Sequence, residues 1–324
     1  MTRVCITGAN GFIGRTLART LRERGAEVVG VDRDADPGAG VVAGDISQPG
    51  AWQTVADGCT TVIHTAALVG MPSDESSFWE VNVRGTRMAL DAARDGGAER
   101  FVHISSVVTY GLDFPDGVDE LWPVRTTGVA YVDTKVAAEQ VVLQAHAARE
   151  IDVTVIRPGD VYGPGSRPWT TLPLELIRTR RFALPEHGRG IHSPVYVDDL
   201  VDGVVAAAES GSAAGRVINL SGGVGVETSE FFDYYARMLG RRSVPTVPTS
   251  VALAAAGLQS RIARARGTVS ELTPGGVRYL ALRRGTYAIA TARDLLGWEP
   301  QVGLADGMAR TEAWAREQGL LSPR

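Results

Sequence analysis

The chain has 324 residues, 44% of them apolar and 22% charged, with a net charge of −4 and two cysteines. That length allows one large domain or two smaller ones, and the mild acidity argues against a general nucleic-acid or membrane-surface binder, local basic patches aside. Two cysteines, Cys5 and Cys59, make no disulfide framework and predict a reducing cytoplasm.

Residues 3–7 are an apolar, β-branched run that ends in Gly8-Ala9-Asn10-Gly11-Phe12-Ile13-Gly14, after which a helical pattern runs over 12–24. Three glycines spaced three apart at a strand-to-helix turn let a backbone approach a pyrophosphate, and the helix aims its unpaired N–H groups at it. Gly8 permits the turn, Gly11 leaves room for phosphate and Gly14 lets helix and strand pack closely. The N-terminus passes straight into this strand, so no secretory leader is expected, and no stretch reaches the apolar length of a membrane span.

Further strands are expected at 27–31, 41–43, 60–65, 100–104, 152–157 and 216–220, with helices at 75–95 and 129–149 between them. Such alternation predicts an α/β fold of the Rossmann type, a doubly wound parallel sheet. Residues 163–190 read as loop plus a short helix, and a helix is expected over 248–265, starting after Pro248. The expected division is a dinucleotide-binding domain of residues 1–162 plus 191–222, and a smaller substrate domain of 163–190 plus 223–324.

The second strand ends at Asp32, 18 residues past Gly14, near the spacing of a ribose-binding acid. A carboxylate there accepts from both ribose hydroxyls and repels a 2′-phosphate, which favours NAD over NADP; Arg33 beside it argues the other way. Asp45-Ile46 is placed to grip an adenine, or is a polar loop cap. Thr65-Ala66-Ala67 leaves space for ribose and phosphate, whereas His64 reads as a hydrogen-bonded core histidine.

Tyr131 and Lys135 stand four apart, on one face of a helix. A phenol with pKa ~10 is a poor base at neutral pH, and a nearby ammonium, like a positive nicotinamide ring, lowers that value. The pair therefore suits proton removal from an alcohol. Ser106 lies 25 residues earlier at a strand end, with Ser105 its rival for holding the substrate oxygen. No metal site is expected.

With these residues in this order, the chain resembles the extended short-chain dehydrogenase/reductase superfamily, from residue 3 to about 315. Segments that carry the resemblance include 7–14, 64–67, Asn82-Val83-Arg84-Gly85-Thr86, 104–111, 131–135, Arg157 to Gly165 and Leu296 to Pro300. The resemblance implies that Ser106 is the active-site serine, Tyr131 the base and Lys135 its partner and a ligand of the nicotinamide ribose. It further implies that the Phe12 and Ile13 backbone meets the pyrophosphate, that Asn82 lies at the cofactor, and that Pro158 and Val161 wall the nicotinamide.

Within the superfamily, dehydratases usually carry Asp-Glu after the active-site Ser or Thr, where this chain has Val107-Val108, so dehydration is not expected. Sugar-nucleotide enzymes usually place a diphosphate-binding arginine where this chain has His192; Arg189 could compensate if the loop is shifted. The order of the C-terminal third resembles the 3β-hydroxysteroid dehydrogenase and dihydroflavonol-reductase-like branch, whose members act on hydrophobic alcohols or ketones. The expected activity is thus NAD-dependent hydride transfer on a steroid-like secondary alcohol or ketone. A sugar-nucleotide 4-epimerase with tightly held NAD is the alternative, and a non-catalytic NAD(P)-binding protein a minor one. Relatives often dimerise through the helices matching 75–95 and 129–149, so a homodimer is expected. Specificity is expected from 68–80, 107–125, 163–192 and 248–285, with Phe78, Trp79, Trp122, Trp169 and Phe182 as possible apolar lining.

Overall fold

The structure is a computed structural model that describes residues 2–70, 75–268, 270 and 272–321. Parts of two expected specificity segments, residues 71–74 and residues 269 and 271, lie outside the described residues. In chain order, β1 (Arg3–Thr7), α1 (Phe12–Glu23), β2 (Glu27–Asp32), β3 (Val41–Ala43) and β4 (Thr61–His64) come first. Next are α2 (Glu75–Phe78), a π-helical turn over Trp79–Arg84, α3 (Gly85–Asp95), β5 (Arg100–Ile104), α4 (Ala130–Ala147) and β6 (Asp152–Pro158). The remainder holds β7 (Asp160–Tyr162), α5 (Leu172–Arg178), β8 (Ile191–His192), β9 (Pro194–Tyr196), α6 (Val197–Glu209) and β10 (Val217–Leu220). It closes with β11 (Val226–Glu227), α7 (Thr228–Met238), α8 (Thr249–Ala265), α9 (Pro274–Leu282), α10 (Ala290–Leu296) and α11 (Leu304–Glu317).

Seven strands pair in parallel in the order β3-β2-β1-β4-β5-β6-β10. This is the expected Rossmann-type sheet, and the order reverses between β1 and β4, which opens a crevice at their carboxyl ends. Both faces are covered, which explains why the strands read as near-continuous apolar runs. Ile6, Ile63, Ile156 and Ile218 pack one face against Leu17 of α1 and Val201 and Val204 of α6. Their strand neighbours Cys5, Val62, Phe101 and Val155 pack the other face against Leu90 of α3 and Val142 of α4.

The helix expected over 75–95 is interrupted by the π turn, which turns Asn82 inward. Its amide accepts from the Leu68 N–H at 2.7 Å and donates to the Leu68 carbonyl at 3.1 Å and to Thr134 Oγ1 at 3.1 Å. Four short strands were not expected: β7 pairs with β9 and β8 with β11. Two or three residues carry no periodicity, and these strands exist through tertiary pairing. The helix after Pro248 begins at Thr249, as expected, and buries Ala252 and Ala256 against Val277 of α9. Beside that helical pair, Asp160 is fully buried with Arg283 (Nη2–Oδ2 2.5 Å) and accepts from Tyr279 Oη at 2.6 Å, which ties α9 to the carboxyl end of the sheet. No helix among the described residues is long and apolar enough to cross a membrane.

Candidate active site

One continuous groove of about 2370 Å³ runs across the carboxyl ends of the strands. That is more than twice the size of a typical single-ligand pocket, so it has room for a dinucleotide and a second molecule. Gly8, Gly11, Phe12, Ile13, Asp32, Arg33, Asp45, Ile46, Thr65, Ala66 and Ala67 line one end. Ser106, Tyr131, Lys135, Pro158 and Val161 line its middle. Sixteen expected residues, dispersed over the sequence, are thus brought to one surface.

The glycine turn is required by geometry. Gly8 has φ +72°, and a Cβ there would lie 2.7 Å from the Ala66 nitrogen. A Cβ on Gly14 would lie 2.1 Å from the Gly8 carbonyl oxygen, so Gly14 sits behind the groove and serves packing. Gly11 precedes α1 with no side-chain cap, which leaves the first N–H groups of the helix facing the groove. Gly30 belongs to the same device and escaped the sequence reading: a Cβ there would lie 2.5 Å from Ala9 Cβ.

Asp32 is held from both sides, Oδ2 accepting from the Asn10 N–H at 2.9 Å and Oδ1 from the Arg33 N–H at 2.7 Å. Each oxygen retains a lone pair for a ribose hydroxyl. Asp45 accepts from the Ser47 N–H and hydroxyl at 2.9 and 2.7 Å, so it caps its own loop while still lining the groove. Buried Ile46 packs under it against Gly85. Thr65 spends its hydroxyl on the Thr7 carbonyl at 2.7 Å. Asn82 does not line the groove; from behind, it clamps Leu68, which does. His64 is a core residue, bridging Thr7 and Thr86 hydroxyls at 2.7 and 2.9 Å.

At the centre, Tyr131 and Lys135 share the groove-facing side of α4 and Ser106 follows β5. The two serines differ in hydrogen bonding: Ser105 is buried and donates to Glu139 Oε1 at 2.6 Å, whereas Ser106 is half-buried, and both line the groove. Burial pushes the Tyr131 phenol up to about 12, and a hydrogen bond with Ser106 acts against that rise. Burial also lowers the Lys135 ammonium to about 8, opposed by Glu139. Lys135 Nζ donates to the Ile104 carbonyl at 2.8 Å. The expected lowering of the tyrosine is therefore absent: burial raises the phenol, and what opposes that rise is the Ser106 hydrogen bond rather than the lysine charge.

Behind this trio lies a buried pair that sequence reasoning missed. Glu139 receives Arg157 in bidentate fashion (Nε–Oε1 2.9 Å, Nη2–Oε2 2.7 Å), with both side chains nearly inaccessible. Arg157 also lies over the Tyr110 ring, 4.7 Å from its centroid. A signal existed, since Tyr131, Lys135 and Glu139 repeat every fourth residue along one helix face.

Beyond the centre the groove is lined by apolar residues, among them Trp169, Leu172, Phe182, Phe232, Val251 and Leu280, and also by Arg167, Arg180, Arg181 and Arg278. Of the expected aromatics, Trp169 and Phe182 are here. Phe78 is fully buried edge-on to Tyr131, Trp122 packs in a cluster with Tyr110 and Tyr287, and Trp79 faces outward, 44% exposed. His192 is fully buried between Trp169 and Phe231, and burial lowers its pKa to about 4, so it presents no charge to a diphosphate. Arg189 does not compensate: it pairs with Glu186 outside the groove.

Residues 4–221 match the family model described as "NAD dependent epimerase/dehydratase family". Among curated relatives, a 4-hydroxy-2-methyl-3-oxo-4-farnesyl-3,4-dihydroquinoline-1-oxide ketoreductase of Stigmatella aurantiaca is 31% identical, covering 99% of each chain. A 3-beta-hydroxysteroid dehydrogenase of Mycolicibacterium neoaurum is also 31% identical, over 95% of this chain and 89% of that one. Among solved structures, MoeE5 in complex with UDP-glucose and NAD superposes with a TM-score of 0.77 at 27% identity, over 98% of this chain and 99% of that one. The family match and the two relatives, joined to a glycine turn, an acid-tipped second strand and a Ser-Tyr-Lys trio in one groove, show that this chain belongs to the NAD-dependent epimerase/dehydratase family of extended short-chain dehydrogenases/reductases.

Proposed function

We propose that this protein is an NAD-dependent dehydrogenase or ketone reductase acting on the secondary alcohol or ketone of a hydrophobic, steroid-like molecule. The observation that carries this reading is the groove itself, which leads from the Ser106–Tyr131–Lys135 trio to Trp169, Leu172, Phe182, Phe232 and Leu280, although Arg167, Arg180, Arg181 and Arg278 share that wall. The named activities of the two curated relatives point the same way. Residues 1–162 with 191–222 would hold the cofactor, and 163–190 with 223–324 the substrate.

In the oxidative direction, Tyr131 Oη takes the hydroxyl proton as the carbinol carbon gives up its hydride. Ser106 Oγ hydrogen-bonds the substrate oxygen as its negative charge develops, so its contact strengthens in the transition state. Lys135 orients the nicotinamide ribose and adds a positive field beside the phenol. A bound oxidised nicotinamide would supply the hydride acceptor, and its positive ring would favour the phenolate. Asp32 would accept from the ribose hydroxyls and so favour NAD over NADP. In reduction, the same tyrosine returns its proton to the ketone oxygen. Replacing Tyr131 by Phe removes that proton carrier while leaving the glycine turn intact. Turnover should vanish and thermal stabilisation by NAD should persist; normal turnover of the variant would refute the mechanism.

The similarity to MoeE5 favours a second reading, a sugar-nucleotide 4-epimerase working through the same trio. Cofactor retained through purification together with stabilisation by a UDP-sugar would select it. A strict need for added NAD and indifference to sugar nucleotides would select the dehydrogenase. We further infer a homodimer through the outer faces of α2–α3 and α4, where exposed Trp79 borders a cleft with Val83 and Val141. A single-chain mass in light scattering would refute it. Two free, buried cysteines suit a reducing cytoplasm.

A further inference from the structure

Helix α8 is amphipathic in the inverse sense. Its inner face buries Ala252, Ala256 and Ala263, and its outer face presents Val251, Leu258 and Ile262, 54%, 62% and 43% exposed. At 3.6 residues per turn these three fall within about 40° of one another, a single stripe along the helix. Leu282 of α9 and Leu272 just before it are also exposed, so this helical pair and its connection carry five of the ten large exposed apolar side chains among the described residues.

The charge around the stripe is one-sided. Residues 249–284 contain six arginines and one carboxylate, in a chain whose net charge is −4. Arg283 is buried against Asp160, and Arg284 pairs with Glu186. Arg261, Arg264, Arg266 and Arg278 are exposed, with no ion-pair partner among the described residues, and of these Arg278 also lines the groove. The helical pair is thus a positive patch on an otherwise acidic molecule, and at 100° per residue Arg261 and Arg266 fall on either side of the apolar ridge.

We propose that the outer face of α8 docks on an anionic lipid surface. The stripe enters the headgroup–acyl boundary while the arginine stems lie along it and their guanidiniums reach lipid phosphates. The acidic remainder is repelled from such a surface, so the molecule is oriented with this patch down. A second copy of the chain fits worse, because a two-fold contact through α8 would set the same arginines against one another. Val251 and Ala255 also line the groove, so docking would place its mouth at the bilayer. A lipophilic substrate could then enter without crossing water; this last consequence, unlike the docking, rests on the substrate class proposed above.

The test is sedimentation of the full chain with sucrose-loaded vesicles of phosphatidylcholine, with or without about 30% phosphatidylglycerol. Binding is expected only with phosphatidylglycerol and should be released by high salt. Arg261→Gln with Arg266→Gln should weaken partitioning about 25-fold, near fivefold per arginine. Leu258→Ser with Ile262→Ser should weaken it at least about tenfold. All four side chains are exposed and outside the groove, so melting temperature should stay unchanged. Should a variant nonetheless unfold, lipid and salt selectivity of the native chain carry the test. Absence of binding, binding indifferent to lipid charge, or equal binding by well-folded variants would overturn the proposal. So would a dimer in light scattering that the Leu258→Ser/Ile262→Ser variant abolishes. A chain that binds vesicles but turns over only sugar nucleotides would refute the substrate reading and leave the docking surface standing.

Discussion

Replacing Lys135 by methionine should stabilise this fold at neutral pH relative to what hydrogen bonding alone would give, while abolishing turnover. The lysine is 4% exposed, and burial lowers it from 10.5 to about 8. At 1.36 kcal/mol per pKa unit, holding its charge inside the native protein costs ~3 kcal/mol at pH 7. Between about 8 and 10.5 the unfolded chain binds the proton and the native one does not, so stability rises with pH across that window. The penalty is complete below pH 8 and has largely gone by pH 10. Methionine carries no such penalty at any pH. It does leave the Ile104 carbonyl without its 2.8 Å donor, a pH-independent cost of ~1–3 kcal/mol. The stability difference between wild type and variant should therefore move by ~2.5 kcal/mol in favour of wild type between pH 7 and pH 10. At ~2 °C per kcal/mol for a chain of this size, paired melting curves should show relative Tm values shifting by ~5 °C. A difference that stays flat over that range would mean that the buried ammonium costs nothing, and the account of the site as a strained, desolvated pocket would fail.

Two further outcomes test neighbouring parts of the site. Glu139→Met or Arg157→Met alone strands a buried charge and should cost ~3–5 kcal/mol, whereas the double variant should recover much of that loss; costs that simply add in a thermal-denaturation cycle would show that the two charges are not coupled. Asp32→Ala removes the carboxylate proposed to meet the ribose, so NADH affinity should fall by about tenfold or more while NADPH affinity rises beside Arg33, as read by titration of the reduced-nicotinamide fluorescence; an unchanged preference would place cofactor selection elsewhere.

The sequence by itself determined the sheet, because strands buried on both faces must be apolar throughout and the helices between them must carry a stripe. It also determined the cofactor end: a positive φ at Gly8 and backbone contact at Gly14 are demands that only glycine meets, so they show in the residue letters. The trio was readable because a phenol and an ammonium four apart are neighbours on any helix. What needed the tertiary structure was every choice between chemically equal candidates. Ser105 and Ser106 differ only in which one meets Glu139. Asn82 leaves the groove because a π turn rotates it inward, and His192 is silenced by the aromatic rings that enclose it. The phenol of Tyr131 rises rather than falls because desolvation depends on the whole surrounding fold, which no local spacing encodes. The outward-facing stripe of α8 belongs to the same class: periodicity shows that a helix has two faces, and only packing against α9 decides which of them is left to solvent.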